Sequence, residues 1–261
     1  MENGLLANGE MVKQADLRMI GHDIGKFTGE IDWRVEAFFD ISLCMNDPLF
    51  PCLFARNAWK SEALNFAFVS TSSTQVDVIS ALKAFVHRTK TVKEEDRLYS
   101  PLLMVFEQTG FQNLRQEHEF AWQRIQEMHD GDPQSWPDAI PTDPQSNEWS
   151  FCFGGIELFI NISCPSHLQL RSRNLGQHVV FVINPRAHFD IVASHKDVKG
   201  VKVREKIRRR VCNYNNGYLP KALGFYGDEH NLEWKQYQMN EPGSADFSRC
   251  PLHIHNKGGK A

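Results

Sequence analysis

The chain has 261 residues, of which 41% are hydrophobic and 23% are charged, and it contains 18 Phe and 6 Trp. This composition supplies enough apolar surface for a sizeable core and excludes an intrinsically disordered chain. The formal net charge of −3 lacks the basic excess of nucleic-acid-binding proteins, so we expect no nucleic-acid partner.

The N-terminus and the cysteines indicate a soluble, cytoplasmic protein. The first residues lack the basic start and the apolar run of a signal peptide, and no run of about 18 apolar residues predicts a membrane span. The 6 cysteines are far apart without a CxxC pair, which argues against a zinc knuckle or a disulfide framework. We expect reduced thiols and no membrane association, and the sequence leaves a homodimer open.

Hydrophobic periodicity predicts the secondary structure in chain order. The predicted elements are a helix from 32 that breaks at 46–48, a strand over 64–69, a helix over 74–89, a strand over 102–106, a helix over 113–129, a hairpin of 149–153 and 156–162 around Gly154-Gly155, a strand over 179–183 and a helix over 200–213. The last helix carries six basic side chains, and the pattern favours a solvated face for them.

This order of elements predicts one α+β domain with a mixed sheet of about five strands, a Gly-Gly hairpin and helices packed on the sheet. Residues 1–30 are polar and aperiodic, so we expect a poorly ordered lead-in, followed by the domain over 31–240 and a tail over 241–261. The sequence contains no GxGxxG, GxxxxGK[ST] or GxSxG motif. It therefore predicts no nucleotide or flavin site and no serine-hydrolase elbow.

The segment 164–176 concentrates an imidazole and two guanidiniums after an apolar strand. Its proline suits the first turn of a helix and its Asn and Gly suit the end, which would place His167 and Arg171 on one face. Such a face would serve a haem, with His167 as iron ligand and Arg171 or Arg173 as partners of the propionates. The alternative is a partly buried histidine surrounded by solvated arginines.

Two further positions are candidates for a haem site. Cys52 lies in an apolar Phe-Pro-Cys-Leu-Phe run, where it is either a thiolate ligand of haem iron or an inert buried thiol. His188 follows a predicted strand and is either a residue near the iron or a capping or core histidine.

Six blocks in order carry a resemblance to a known family. They are Phe50-Pro51-Cys52-Leu53-Phe54, Ile140-Pro141-Thr142-Asp143-Pro144, Trp149-x-Phe151-Cys152-Phe153, Pro165-x-His167 with Arg171-Ser172-Arg173-Asn174, Asn184-Pro185-Arg186 with Phe189-Asp190, and Glu233-Trp234-Lys235-Gln236-Tyr237. Together they resemble the YqcI/YcgG family from about residue 33 to 239. The resemblance departs at Ala55-Arg56, where many relatives have Gly, so Arg56 is either part of a carboxylate pocket or a surface arginine.

The resemblance implies a haem-dependent monooxygenase that hydroxylates nitrogen of a guanidino or amino-acid substrate, as in guanitoxin and cycloserine biosynthesis. It makes His167 the first choice and Cys52 the second choice for the ligand of a haem b, with His188 and Arg186 as catalytic candidates. Glu157, Asp190 and Trp149 are of suitable type to bind an arginine-like substrate.

Monooxygenation consumes O2 and two electrons, and the chain has no flavin or nicotinamide motif. We therefore expect an external reductant of the ferredoxin and reductase type. A haem-binding sensor or carrier and a cofactor-free interaction protein are the alternatives.

Overall fold

The computed structural model describes residues 7–18, 32–108, 110–194 and 196–255, and within them six strands form one mixed sheet in the order β1-β2-β3-β6-β5-β4. The strands are β1 (Val12–Lys13), β2 (Asn65–Val69), β3 (Leu102–Phe106), β4 (Phe151–Phe153), β5 (Ile156–Ser163) and β6 (Val179–Pro185). β2 and β3 are parallel, whereas the other neighbouring strands are antiparallel. The predicted α+β domain with a mixed sheet is confirmed.

Helices cover both faces of the sheet. They are α1 (Trp33–Asn46), α2 (Leu53–Lys60), α3 (Gln75–Thr91), α4 (Glu94–Arg97), α5 (Leu114–Asp130), α6 (Ala187–Val192), α7 (Val198–Tyr214) and α8 (Glu233–Tyr237). None in the described part of the chain combines the length and the apolar character needed to cross a bilayer. Periodicity did not predict four of these helices, α2, α4, α6 and α8, and the first of them positions a candidate ligand, Cys52.

Side chains alternate between the two faces of the sheet because the strand period is two. On one face, Leu102 and Met104 of β3 pack with buried residues of α3 and α5. On the other face, Leu103 and Val105 pack with Ile41 of α1 and with α2. The molecule is therefore a three-layer arrangement of helix, sheet and helix, and the candidate site lies between the sheet and the helical layer that contains α1 and α2.

Both ends of the described chain are more closely packed against the domain than the sequence predicted. Of the expected lead-in, the described residues 7–18 include the edge strand β1 and the buried side chain of Leu17, and the rest of 1–30 lies outside the described residues. Of the expected tail, Leu252 is buried in the core. The backbone N–H of His255 donates to His129, so residues up to 255 are held against α5.

The short helix predicted over 165–174 is wrong. Residues 164–170 form turns, and only a three-residue 3-10 helix follows at Arg171–Arg173. The reason is the carboxylate of Glu241, which accepts the backbone N–H groups of Leu168 at 2.9 Å and Leu170 at 3.1 Å. These N–H groups are thereby satisfied without helical hydrogen bonds.

Candidate functional site

A cavity of about 270 Å³ lies between the sheet and the helices of the α1–α2 face. Its floor is formed by Leu103 of β3, Val182 of β6 and the alternate residues Phe159, Asn161 and Ser163 of β5. The walls come from the start of α2, from one stripe of α7 and from the start of α8. Most of the lining is apolar, with a few polar and charged groups, which is the usual composition of a small-molecule or cofactor site.

Cys52 lies on the wall of this cavity at the N-cap position of α2. Its sulfur accepts a hydrogen bond from the backbone N–H of Ala55 at 3.4 Å. Burial raises the pKa of the Cys52 thiol, while this hydrogen bond and the nearby guanidinium of Arg173 oppose the rise. A helix N-terminus and a buried cation both favour the thiolate, and thiolate is the form that ligates a metal.

One stripe of α7 faces the cavity through Arg204, Ile207, Arg208 and Val211, which are all half-buried. Their spacing of three and four residues places them on one side of a helix. Gly200 is the one fully buried residue of α7, whereas α3 buries seven. α7 therefore adjoins the cavity more than the core. The prediction of a wholly solvated basic face does not hold for Arg204 and Arg208.

Arg204 and Arg208 place two guanidinium groups close together at the cavity wall. Their guanidiniums lie over the same Phe225 ring, at 4.6 and 4.8 Å from its centroid. Burial lowers the pKa of Arg204, and the charge of Arg208 lowers it further. Within the described residues no carboxylate forms an ion pair with either guanidinium, and the Nε of Arg204 donates to the backbone carbonyl of Ala193 at 2.6 Å, which leaves its Nη groups for a ligand. Two adjacent cations in a partly buried place attract a carboxylate or phosphate ligand.

Glu233, the first residue of α8, adds a buried carboxyl group to the cavity wall. Its Oε1 accepts hydrogen bonds from the hydroxyls of Ser150 at 2.7 Å and Tyr237 at 2.9 Å. Burial raises the pKa of Glu233 to about 7, against the effect of these hydrogen bonds. Such a group changes its charge near neutral pH and binds a cationic ligand when ionised.

Arg186, predicted as a catalytic residue, also lines the cavity, but its charge is already balanced. Its Nε donates to Glu157 at 3.1 Å, its Nη2 pairs with Asp190, and its guanidinium lies 3.8 Å from the centroid of the Tyr226 ring. His188 does not line the cavity, and its Nε2 is in contact with Arg97. Burial and Arg97 lower the pKa of His188 to about 4.

The two arginines predicted to bind propionates differ sharply in their surroundings. Arg173 is buried on the cavity wall, and its guanidinium donates to the carbonyls of Tyr237 at 3.0 Å and Gln236 at 2.8 Å. Arg171 is exposed and lies 4.7 Å from the ring centroid of Tyr214, away from the cavity. Arg173 therefore ties the C-terminal segment to the cavity wall, and its donors are largely committed to backbone.

His167 lies outside the cavity and is brought together with His118 and Cys164. Its Nδ1 is 3.1 Å from Oε1 of Glu241, and its Nε2 is buried without a hydrogen-bond partner. Burial lowers the pKa of His167 to about 4 and that of His118 to about 3. Both imidazoles are therefore neutral at physiological pH.

The remaining candidates for substrate binding, Trp149 and Arg56, do not line the cavity. Trp149 is fully buried in the core of the other face, where its ring lies 6.0 Å from that of Tyr237. Arg56 donates to the carbonyl of Pro48 at 3.1 Å and does not line the cavity.

The groups present on the cavity wall fit a haem. Cys52 offers a sulfur ligand, the floor and the α7 stripe offer apolar contact for a macrocycle, and the unpaired guanidiniums of Arg204 and Arg208 offer charge for two propionates.

Three charged side chains of the cavity wall were not predicted from the sequence as site residues. Arg204 and Arg208 were hidden within a run of charges that is typical of a solvated face. Glu233 follows Leu232 in an otherwise ordinary short amphipathic segment. One signal was available: Asn161 and Ser163 interrupt an apolar strand at alternate positions, which indicates a polar contact on one face of a buried strand.

Fold and cavity together define an α+β protein with a partly enclosed cavity that has a cysteine on its wall. The model of the YqcI/YcgG family matches residues 41–253. A Streptomyces lavendulae protein with the name "Putative N(omega)-hydroxy-L-arginine synthase DcsA" is 37% identical over 250 residues, which are 94% of this chain and 90% of that protein. The chain belongs to the YqcI/YcgG family.

Two relatives from Bacillus subtilis (strain 168) extend the comparison. "Uncharacterized protein YqcI" is 28% identical over 226 residues, covering 84% of this chain and 87% of the relative. "Uncharacterized protein YcgG" is 26% identical over 227 residues, covering 85% and 88%. No solved structure matches the chain.

Proposed function

We propose that this protein is a haem-dependent monooxygenase that hydroxylates a guanidino nitrogen of arginine or a close analogue. The observation that carries the proposal is one cavity that holds a cysteine at a helix N-terminus, an unpaired arginine pair and a buried glutamate. The name of the 37% identical Streptomyces relative, an N(omega)-hydroxy-L-arginine synthase, supports arginine as the substrate class.

Cys52 is the residue that we propose as the iron ligand, in place of His167. Cys52 lines the cavity, whereas His167 is packed among other buried groups away from it. Arg204 and Arg208 are the proposed partners of the haem propionates. Arg173 is less suited to this role because its guanidinium donates to backbone carbonyls, and Arg171 is less suited because it lies outside the cavity. A haem held by these residues would supply the activation of O2 that monooxygenation needs, in which one oxygen atom is added to the substrate and the other is reduced to water.

Glu233 is the proposed anchor of the substrate guanidinium. Ser150 and Tyr237 both bond to its Oε1 and fix the carboxyl group in one orientation, so Oε2 is the oxygen available to a ligand. Glu233 is buried, and a charge-assisted hydrogen bond from a guanidinium to a buried carboxylate is stronger than the same bond in water. Such a bond would hold the reacting nitrogen in one place. The two electrons of the reaction come from an external donor, for which a ferredoxin and its reductase are the proposed class.

The pKa of Glu233 predicts how substrate binding depends on pH. Below pH 7 the carboxyl group is mostly protonated and cannot pair with a guanidinium, and above pH 7 it is mostly ionised. We expect the affinity for L-arginine to rise about 10-fold between pH 6 and pH 8, because the ionised fraction rises by that factor for a pKa near 7. The measurement is the shift of the Soret band of the purified haem-loaded protein during titration with L-arginine.

Three results would count against the proposal. A protein that takes up no haem contradicts the cofactor, and a haem-loaded protein whose spectrum arginine does not perturb contradicts the substrate class. An affinity that is flat between pH 6 and pH 8 contradicts the role of Glu233.

A further inference from the structure

His118, Cys164 and His167 form a second cluster of metal-ligating side chains, separate from the cavity. His118 is on α5, Cys164 directly follows β5, and His167 is in the turn after it. One ligand atom from each lies within 4.8 Å of the others, and all three residues are buried. His118 and Cys164 are 46 residues apart in sequence, so the cluster has no short spacing motif such as CxxC by which the sequence could predict it.

Two unsatisfied nitrogens are the second observation that points to a ligand here. The Nε2 atoms of His118 and of His167 are both buried and have no hydrogen-bond partner. The Nδ1 of His167 lies 3.1 Å from the carboxylate of Glu241, so its N–H donates there and the lone pair stays on Nε2. Buried polar atoms are rarely left without a partner, and two in one cluster call for an explanation.

We propose that His118, Cys164 and His167 bind a structural zinc ion through two imidazole nitrogens and one sulfur. Three atoms within 4.8 Å of one another share a point about 2.8 Å from each, and zinc bonds are about 2.0–2.1 Å to nitrogen and 2.3 Å to sulfur. A closure of less than about 1 Å therefore completes the site. Glu117, which accepts a hydrogen bond from the Cys164 thiol, or a water molecule is left for the fourth position.

Charge balance favours a divalent ion at this place. The cluster is bordered by the carboxylates of Glu117 and Glu241 and by the buried guanidinium of Arg173. Binding converts the Cys164 thiol to a thiolate and releases one proton to solvent. Three negative charges are then balanced by Arg173 and a zinc ion of charge +2, whereas a monovalent ion leaves one negative charge buried.

The surrounding contacts resemble those that orient zinc ligands. A carboxylate that holds the distal nitrogen of a ligating histidine is the usual outer partner of such a site, and Glu241 occupies that place for His167. The ion would connect α5, the end of β5 and, through Glu241, the C-terminal segment. It is independent of the haem proposal, since none of its ligands lines the cavity.

The test is metal analysis of the full-length protein together with its thermal unfolding. We expect one zinc ion per chain after growth with zinc, and, for protein stripped with a chelator, a rise in Tm of about 5–10 °C when zinc is present at about 100 times its Kd. Cys164→Ser should lose the zinc, whereas the matched variant Cys152→Ser, which changes a buried thiol on β4, should keep it.

A second, spectroscopic experiment uses the protein without substitutions, so its result does not depend on whether a variant folds. Co2+ added to the stripped protein should give a thiolate-to-cobalt charge-transfer band, and zinc should remove that band. A protein without stoichiometric zinc and without a zinc-dependent Tm, zinc retained in a folded Cys164→Ser variant, or another metal in the cluster would overturn the proposal. Cys52→Ser should retain zinc even when it loses haem, so the two proposals fail separately.

Discussion

Replacing Cys52 with serine is expected to abolish the thiolate signature of the bound haem and to lower the rate of arginine hydroxylation by more than about 100-fold. Losing a contact that merely orients a metal ligand typically costs 10- to 100-fold, and Cys52 is proposed as the ligand itself. The fold should survive, because Cys52 is the N-cap of α2 and serine is a preferred residue at that position. The measurement is the Soret band of the ferrous carbon monoxide complex, with the hydroxylation rate beside it.

His167→Gln is the matched variant for this comparison. His167 does not line the cavity, so the haem spectrum of this variant should keep its thiolate signature, whereas its zinc content should fall. The opposite pair of results, a normal spectrum in Cys52→Ser and a lost Soret band in His167→Gln, would identify His167 as the iron ligand and refute the assignment of Cys52.

Replacing Glu233 with glutamine is expected to lower kcat/KM for L-arginine by about 30- to 1000-fold. This range corresponds to about 2–4 kcal/mol, which is typical for the loss of one partner from a buried charge pair. Glutamine preserves the size of the side chain and can still bond to Ser150 and Tyr237, so the wall should keep its shape. The haem content should not change, and the dependence of arginine affinity on pH near 7 should disappear.

Glu119→Gln is the control, since Glu119 is an exposed carboxylate on α5 whose partner is Arg115. Its kcat/KM should equal that of the unaltered protein. If Glu233→Gln hydroxylates arginine at the normal rate with a normal KM, the guanidinium is held elsewhere in the cavity.

The elements with a clear local pattern of apolar and turn residues could be predicted from the sequence. β3, β5 and β6 have short apolar runs bounded by turn residues, and the Gly-Gly turn between β4 and β5 supplies two residues with positive φ. The helix predicted over 165–174 failed because a carboxylate about 70 residues away, that of Glu241, satisfies the backbone N–H groups of the turn. A tertiary contact of that kind has no local signature.

The candidate site was predictable only in part for the same reason. Cys52 was recognised as a possible ligand from its chemistry, but its position at a helix N-terminus depended on α2, which has only eight residues and is too short to be predicted from periodicity. Arg204, Arg208 and Glu233 become functional candidates through the cavity that α7 and α8 close over the sheet. His167 was singled out from the sequence as a candidate ligand, while its neighbour His118 was not, because His118 comes from a separate element, α5.

The most direct test of the proposed activity is mass spectrometry of the product formed from L-arginine under labelled O2, with the haem-loaded protein and an added ferredoxin and reductase. The account predicts a product one oxygen atom heavier than arginine, with that oxygen derived from O2 and attached to a guanidino nitrogen. Reduced haem and peroxide without a hydroxylated product, in a protein whose spectrum responds to arginine, would contradict the monooxygenase and favour a haem-binding sensor or carrier.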